Sequence, residues 1–82
     1  MGPREKELIG KVFKDENGIP YQGQRFIQVV NLDTITGFMD TEMNYLNGKA
    51  HGNPAIIYPD GLEEQWENGS FIKTTHLPNA ER

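Results

Sequence analysis

The side chains best suited to chemistry in this chain are two histidines and a single serine. His51 stands in the stretch Lys-Ala-His-Gly-Asn, and His76 lies much further along a chain that has no cysteine. A zinc site needs three or four closely grouped ligands, and these two histidines do not belong to a recognisable set. Ser70 lacks the Gly-x-Ser-x-Gly turn that exposes a nucleophilic serine. These residues therefore predict no metal site, no cofactor and no nucleophile.

The carboxylates occur in pairs, but on predicted strand faces that also carry amides. Asp40 and Glu42 share a face with Asn44, and Glu63 and Glu67 share a face with another amide. An acid–base pair needs a set separation across a cleft and one carboxyl whose pKa is raised by burial. Mixing with amides is typical of a solvated face instead. The chain is predicted not to be an enzyme.

Short β-strands must position these side chains, because glycine-containing turn signals recur along the chain. Four dipeptides tolerate positive φ and close tight hairpins: Asn17-Gly18, Asn47-Gly48, Asp60-Gly61 and Asn68-Gly69. The runs between them alternate with the period of two that marks half-buried strands. The predicted inner faces are Met39, Thr41, Met43 and Tyr45 in the first run, and Leu62, Glu64 and Trp66 in the second. From Ser70 to Leu77, alternation predicts one face with Phe71, Lys73, Thr75 and Leu77 and the opposite face with Ile72, Thr74 and His76.

Two further runs complete the strand prediction, and the N-terminal segment has two interpretations. Arg25 to Leu32 is rich in β-branched residues, and prolines bracket the run from Ala55 to Tyr58. Pro3 to Phe13 has apolar residues at helical spacing, but Gly10 interrupts them, so a strand from Leu8 to Lys14 is favoured. The predicted fold is all-β, a small antiparallel meander of five to six short strands, with one short N-terminal helix as the alternative for the first segment. One domain covers residues 1–77, and a flexible tail covers 78–82.

An ordered set of motifs runs from Tyr45 to Lys73. In sequence order it comprises Tyr45, Asn47-Gly48-Lys49, His51-Gly52, Tyr58, Asp60-Gly61, Trp66 and Asn68-Gly69. This set resembles the MORN repeat and its bacterial variant form over about a third of the chain. The chain departs from that family at Asn53-Pro54, where a second glycine is usual, and at Glu63-Glu64-Gln65, where Tyr-x-Gly is usual. The Asn17-Gly18 hairpin lies too far upstream of Asn47 to count as a further repeat.

The resemblance implies successive hairpins in one twisted sheet that serves protein–protein or membrane-associated contacts. It implies that His51 belongs to a hairpin, with a ring nitrogen bonded to a turn backbone. It also favours Trp66 as a core aromatic packed on Phe71 or Ile57, against the alternative of an interface anchor. Some bacterial variants of this repeat resemble antitoxins, which adds a functional alternative.

Charge and composition narrow the class of partner. The 82 residues include 12 acidic and 8 basic side chains, for a net charge of −4, and the basic residues are scattered. Nucleic acids and anionic membranes bind clustered Lys and Arg, so both are disfavoured and a basic protein partner is favoured. No apolar run approaches the roughly 20 residues that cross a bilayer. The absence of cysteine fits a reducing compartment, and a cytoplasmic location is predicted.

Two functional hypotheses follow. The first is a non-enzymatic protein–protein interaction module on a MORN-like sheet. The alternative is a small acidic phage or mobile-element inhibitor, of antitoxin or anti-defence type, that blocks a nucleic-acid-binding host protein with its carboxylates. The predicted partner-binding residues are Met39, Met43, Tyr45, Asp60, Glu63, Glu64, Trp66 and Glu67. The apolar face of the sheet must be covered, either by the segment from Leu8 to Phe13 or by a second molecule, for instance in a homodimer.

Overall fold

The computed structural model describes residues 2–26 and 41–78 of the chain. Within them, six strands form one antiparallel sheet: β1 (Gly23–Phe26), β2 (Glu42–Leu46), β3 (Lys49–Ala50), β4 (Gly52–Ile57), β5 (Glu63–Glu67) and β6 (Ser70–His76). The order across the sheet is β1-β2-β4-β5-β6, with the short β3 also paired to β2. Apart from β3 and β4, which both pair with β2, strands adjacent in sequence are adjacent in space, which confirms the predicted all-β meander. The predicted strand residues from Ile27 to Leu32 and from Phe38 to Asp40, and the tail beyond Pro78, lie outside the described residues.

Two of the Asn-Gly dipeptides close tight two-residue hairpins. Asn47 and Gly48 have φ values of 52° and 84°, and Asn68 and Gly69 have values of 48° and 83°. Positive φ at both central residues defines the type I′ turn, whose twist matches that of paired strands. The prediction for these two turns is confirmed.

The other two dipeptides close longer turns in which only the glycine has positive φ. Gly18 has a φ of 81°, and its N–H donates to the carbonyl of Asp15 at 2.9 Å. Gly61 has a φ of 100°, and its N–H donates to the carbonyl of Tyr58 at 3.0 Å. Glycine is suited to this position because a Cβ would crowd the backbone there.

Alternation places the core on one face of β2 and β5, as predicted. Met43 and Tyr45 on β2 are buried, as is Thr41 just before it, and Glu64 and Trp66 are buried on β5. Strand β4 departs from a period of two, because Ala55 and Ile56 are both buried. The register of β4 against β5 shifts between Gly52 and Ile56, and Pro54 lies inside that irregularity, where no regular ladder bond is required of it.

The predicted alternation in β6 is wrong beyond its first residues. Phe71 pairs with Trp66 but Lys73 pairs with Gln65, so one residue of β6 is extra, and a second shift follows between Glu63 and Glu64. Such bulges place two residues opposite one and reset the faces. As a result Phe71 and Thr74 are the half-buried residues of β6, whereas Lys73 and Thr75 are exposed.

The N-terminal segment is neither the predicted strand nor an α-helix. It contains a single 3-10 turn, Lys6–Leu8, and only an isolated bridge between Lys14 and Pro20 beyond it. Gly10, with a φ of 73°, turns the chain between them and prevents a continuous strand. Residues 3–13, called the strap below, lie across the inner face of the sheet, where Leu8 is 1% exposed.

The core joins the strap to the strands. The buried apolar residues form one cluster: Leu8, Met43, Tyr45, Ala50, Ala55, Ile56, Tyr58, Leu62 and Trp66. At one end the ring of Tyr45 contacts the rings of Phe13 and Tyr21, with centroids 5.4 and 5.1 Å away. At the other end Trp66 meets Phe71 edge-on at 5.8 Å. The core interpretation of Trp66 and its predicted partner Phe71 are confirmed.

Candidate interaction surfaces

Each type I′ turn docks on a short segment upstream of it, and the first such joint involves Gln22. The backbone N–H of Asn47 donates to Oε1 of Gln22 at 3.0 Å, and Nε2 of Gln22 returns a bond to Oδ1 of Asn47 at 2.8 Å. The N–H of Gly48 donates to the carbonyl of Tyr21 at 2.8 Å. The turn is thus held by one side-chain acceptor and one main-chain acceptor.

The second joint repeats this arrangement with a histidine in place of the glutamine. The N–H of Asn68 donates to Nδ1 of His51 at 3.1 Å, and the N–H of Gly69 donates to the carbonyl of Ala50 at 2.9 Å. The predicted role of His51, a ring nitrogen bonded to a turn backbone, is confirmed. Tyr21-Gln22-Gly23 therefore occupies the same place in the sheet as Ala50-His51-Gly52. The upstream segment is thus a structural repeat, although the distance between Asn17-Gly18 and Asn47 in the sequence did not indicate one. The signal in the sequence was a Gln-Gly pair at the position of His-Gly.

Arg4 anchors the beginning of the strap. Its guanidinium donates to both carboxylate oxygens of Asp60, at 3.2 and 2.8 Å, and lies 4.6 Å from the centroid of the Tyr58 ring. The hydrogen bonds from Arg4 hold the pKa of the Asp60 carboxyl below its ordinary value, and the same pair raises the pKa of Arg4. A two-pronged bond of this kind fixes orientation as well as charge.

A buried carboxylate links the strap to the core. Glu64 is 1% exposed; its Oε2 accepts the backbone N–H of Arg4 at 2.8 Å, and its Oε1 accepts the indole N–H of Trp66 at 3.0 Å. Burial, followed by the nearby charge of Glu64, raises the pKa of the Tyr58 hydroxyl. A buried carboxylate is costly unless its oxygens are hydrogen-bonded, and both are here.

Two main-chain bonds complete the attachment of the strap. The N–H of Gly10 donates to the carbonyl of Gly69 at 2.9 Å, and the N–H of Phe13 donates to the carbonyl of Gly48 at 2.7 Å. The strap therefore runs along the row of Asn-Gly turns. It passes so close to Gly48 that a Cβ on that residue would lie 2.8 Å from the carbonyl oxygen of Phe13.

The predicted partner-binding residues fall into separate places. Met43, Tyr45, Glu64 and Trp66 are between 0 and 5% exposed, so these four cannot contact a partner in this structure and are core residues. Met39 lies outside the described residues. Asp60 is engaged by Arg4. Glu63 and Glu67 remain accessible on the outer face of β5.

The outer face carries a row of residues that the structure brings together across four strands. Glu42 on β2 pairs with Ile57 on β4, Ile57 pairs with Glu63 on β5, and Glu63 pairs with His76 on β6. None of the four is buried. His76 is fixed by its Nδ1–H, which donates to the carbonyl of Gly61 at 2.9 Å. Glu42 and Ile57 were not predicted as contact residues, although the alternation of β2 already placed Glu42 outside.

No described side chain forms an ion pair with the outer carboxylates. Among the side chains of residues 2–24 and 41–78 the single salt bridge is that between Arg4 and Asp60, on the strap side of the molecule. Among these side chains, no basic group is bound to Glu42, Glu63 or Glu67. The same described residues include no group of three or more histidine, aspartate or glutamate side chains that could hold a metal ion.

The described part of the chain also includes no helix long and apolar enough to cross a membrane. Comparisons with protein-family models, with curated proteins and with solved structures found no match to this chain.

Proposed function

We propose that this protein is a non-enzymatic protein–protein interaction module built on a MORN-like sheet, with the outer face as its contact surface. The main support for this proposal is that the strap covers residues of the inner face, whereas no described segment does so for the outer face. The strap lies on the inner face and buries Leu8 in the core, whereas none of the four residues in the row from Glu42 to His76 is buried. The repeated turn joints support a MORN-like scaffold, and a cytoplasmic location belongs to the same proposal.

The chemistry of the outer face favours a basic partner. Ile57 offers an apolar centre, and Glu42 and Glu63 lie on either side of it as cross-strand neighbours. Carboxylates without basic neighbours repel one another and gain from a partner that carries lysine or arginine. An apolar centre with a charged surround is the usual anatomy of a protein interface.

A second candidate function is supported by the same carboxylates. A small acidic inhibitor that blocks a nucleic-acid-binding protein would place Glu42, Glu63 and Glu67 in the groove that binds phosphates. Binding of that kind is steered by charge and weakens steeply with added salt. An interface centred on Ile57 would respond less to salt, so the two candidates differ in a measurable property.

The experiment compares two full-length variants of equal charge change. In the first, Glu42→Lys and Glu63→Lys reverse two charges of the outer face. In the second, Glu7→Lys and Glu16→Lys reverse two exposed charges upstream of the sheet. A partner captured by the wild-type chain from its native host, and identified by mass spectrometry, is purified and titrated against each variant. We expect the outer-face variant to lose binding by tenfold or more, about 1.4 kcal/mol, and the control to bind as wild type does. Equal binding by both variants would contradict the outer face as the contact surface.

A further inference from the structure

The strap is attached to the sheet in the manner of a bound peptide. Its only regular structure is the 3-10 turn Lys6–Leu8, and it adds no strand to the sheet. Most of its side chains are exposed, with Leu8 as the one buried apolar anchor. Segments with few buried contacts are the first to open in a folded protein.

The groove beneath the strap has one site for an arginine and one for a leucine. The arginine site consists of the Asp60 carboxylate, which binds both guanidinium nitrogens, and the face of Tyr58, 4.6 Å from the guanidinium carbon. Lysine would not replace arginine there, because an ammonium cannot bind both oxygens in one plane and stack on a ring. The leucine site is the core pocket that reduces Leu8 to 1% exposure.

Apart from these two side-chain sites, the groove binds the backbone of the strap. Oε2 of Glu64 accepts the N–H of Arg4, and the carbonyls of Gly69 and Gly48 accept the N–H groups of Gly10 and Phe13. At the positions of Arg4 and Phe13 these acceptors take any residue except proline, whereas the φ of 73° at Gly10 favours glycine there. They hold a segment in place while the arginine and leucine sites select its sequence, as in other peptide-recognition sites.

We infer that this groove is a peptide-binding site for a partner protein segment that carries an arginine and, four residues later, a leucine, and that the strap is its intramolecular occupant. The site lies on the inner face, so it is additional to the outer-face contact surface proposed above and is tested separately from it. A partner segment reaches the groove when the strap opens. Because the strap is tethered at an effective concentration of about millimolar, its arginine controls access.

The test uses the full-length chain and, as the probe, a labelled synthetic peptide of residues 2–13. Arg4→Glu in the chain places a glutamate beside Asp60 and weakens the strap. Arg4 is about one-third exposed, so this change leaves the core residues in place. Fluorescence anisotropy should show that the probe binds the Arg4→Glu chain at least about tenfold more tightly than it binds wild type. Control probes that carry Arg4→Glu or Leu8→Asp should bind at least about tenfold more weakly than the wild-type probe.

A charge exchange gives a second, independent readout. A chain that carries Asp60→Arg, which repels its own Arg4 and so weakens the strap, should prefer the Arg4→Glu probe over the wild-type probe. Adding Glu63→Lys to the Arg4→Glu chain should leave probe affinity unchanged, so a failure of the outer-face proposal does not affect this result. The inference is overturned if a folded Arg4→Glu chain, checked by the emission of Trp66, binds the probe no better than wild type does. It is also overturned if the control probes bind equally well.

Discussion

The two faces of this sheet share the same strands but have opposite surroundings. On the inner face Met43, Ile56 and Trp66 are buried in one cluster with Leu8 of the strap, and the buried carboxylate of Glu64 has both oxygens hydrogen-bonded. On the outer face Ile57 and Glu63 are half-buried, and no described side chain forms an ion pair with Glu63. A single-layer sheet needs cover on one face only, and this chain supplies that cover itself. The outer face is the surface that we propose for partner binding.

The largest contrast between the faces is expected from two leucine truncations. Leu8→Ala removes a side chain that is 1% exposed under the strap, whereas Leu46→Ala changes one that is 38% exposed at the end of β2. Truncating a buried leucine costs about 2–5 kcal/mol, through lost burial and a residual cavity. Urea unfolding should give that loss for Leu8→Ala and a change within about 0.5 kcal/mol for Leu46→Ala. Equal losses would mean that the strap does not close the inner face.

Alanine substitutions at three glycines test how closely the strap packs against the turns. Gly48, Gly69 and Gly18 all have a positive φ near 80°. A Cβ added at Gly48 would lie 2.8 Å from the carbonyl oxygen of Phe13. A Cβ at Gly69 would lie 3.4 Å from its nearest neighbour, and one at Gly18 would lie in open space. Alanine at any of them costs about 1 kcal/mol for the backbone conformation. Overpacking should add about 1–3 kcal/mol at Gly48 alone. The melting temperatures should therefore rank Gly48→Ala well below the other two variants. If all three variants melt together, the strap does not approach Gly48.

Alkaline pH tests the environment of Tyr58 beneath Arg4. Burial raises the pKa of Tyr58 above its ordinary value of 10.0 in the folded chain. The resulting stability is fully present below pH 10 and is lost as pH rises further, because only the unfolded chain then ionises this hydroxyl. Relative to wild type, Tyr58→Phe should gain up to about 1.4 kcal/mol of unfolding free energy per pH unit above about 10. A difference that stays constant from pH 8 to 11 in urea titrations would refute this account of Tyr58.

Acidic pH acts on Asp60 in the opposite direction. Its pKa is lowered by Arg4, so its contribution is present above the ordinary pKa and is lost as pH falls through the folded-state pKa. The effect is small because the pair is more than one-third exposed at Asp60.

The smallest effect tests whether the two turn joints are equivalent. His51→Ala removes the acceptor of the Asn68 N–H and should cost about 1 kcal/mol, the net value of a hydrogen bond. His51→Gln should cost less, because Gln22 already makes the corresponding bond to Asn47 at the first joint. Thermal melting of the two variants side by side gives the answer. A glutamine variant as unstable as the alanine variant would show that the joints differ.

The sequence predicted the parts of this fold that depend on local pattern. The Asn-Gly pairs are short-range turn signals, and the alternation in β2 and β5 is visible within one strand. The path of the strap was not predictable in this way, because its anchors join residues far apart in the chain, such as the Arg4 N–H to Glu64, 60 positions away. Alternation placed Glu64 on the inner face, yet its charge also put it among the predicted contact residues, because the sequence does not show that the distant Arg4 N–H satisfies this carboxylate. The bulges of β6 likewise depend on how β6 pairs with β5, so no periodic pattern within the sequence of β6 indicates them.

The single tryptophan of the chain reports directly on whether the strap closes the inner face. Trp66 is 1% exposed and shares the Glu64 carboxylate with the backbone of Arg4. Acrylamide quenching of its fluorescence should be weak in the wild-type chain and strong in Leu8→Asp, with the β-sheet signal of circular dichroism retained. Strong quenching in the folded wild-type chain, or the same weak quenching in a folded Leu8→Asp variant, would contradict closure of the inner face by the strap.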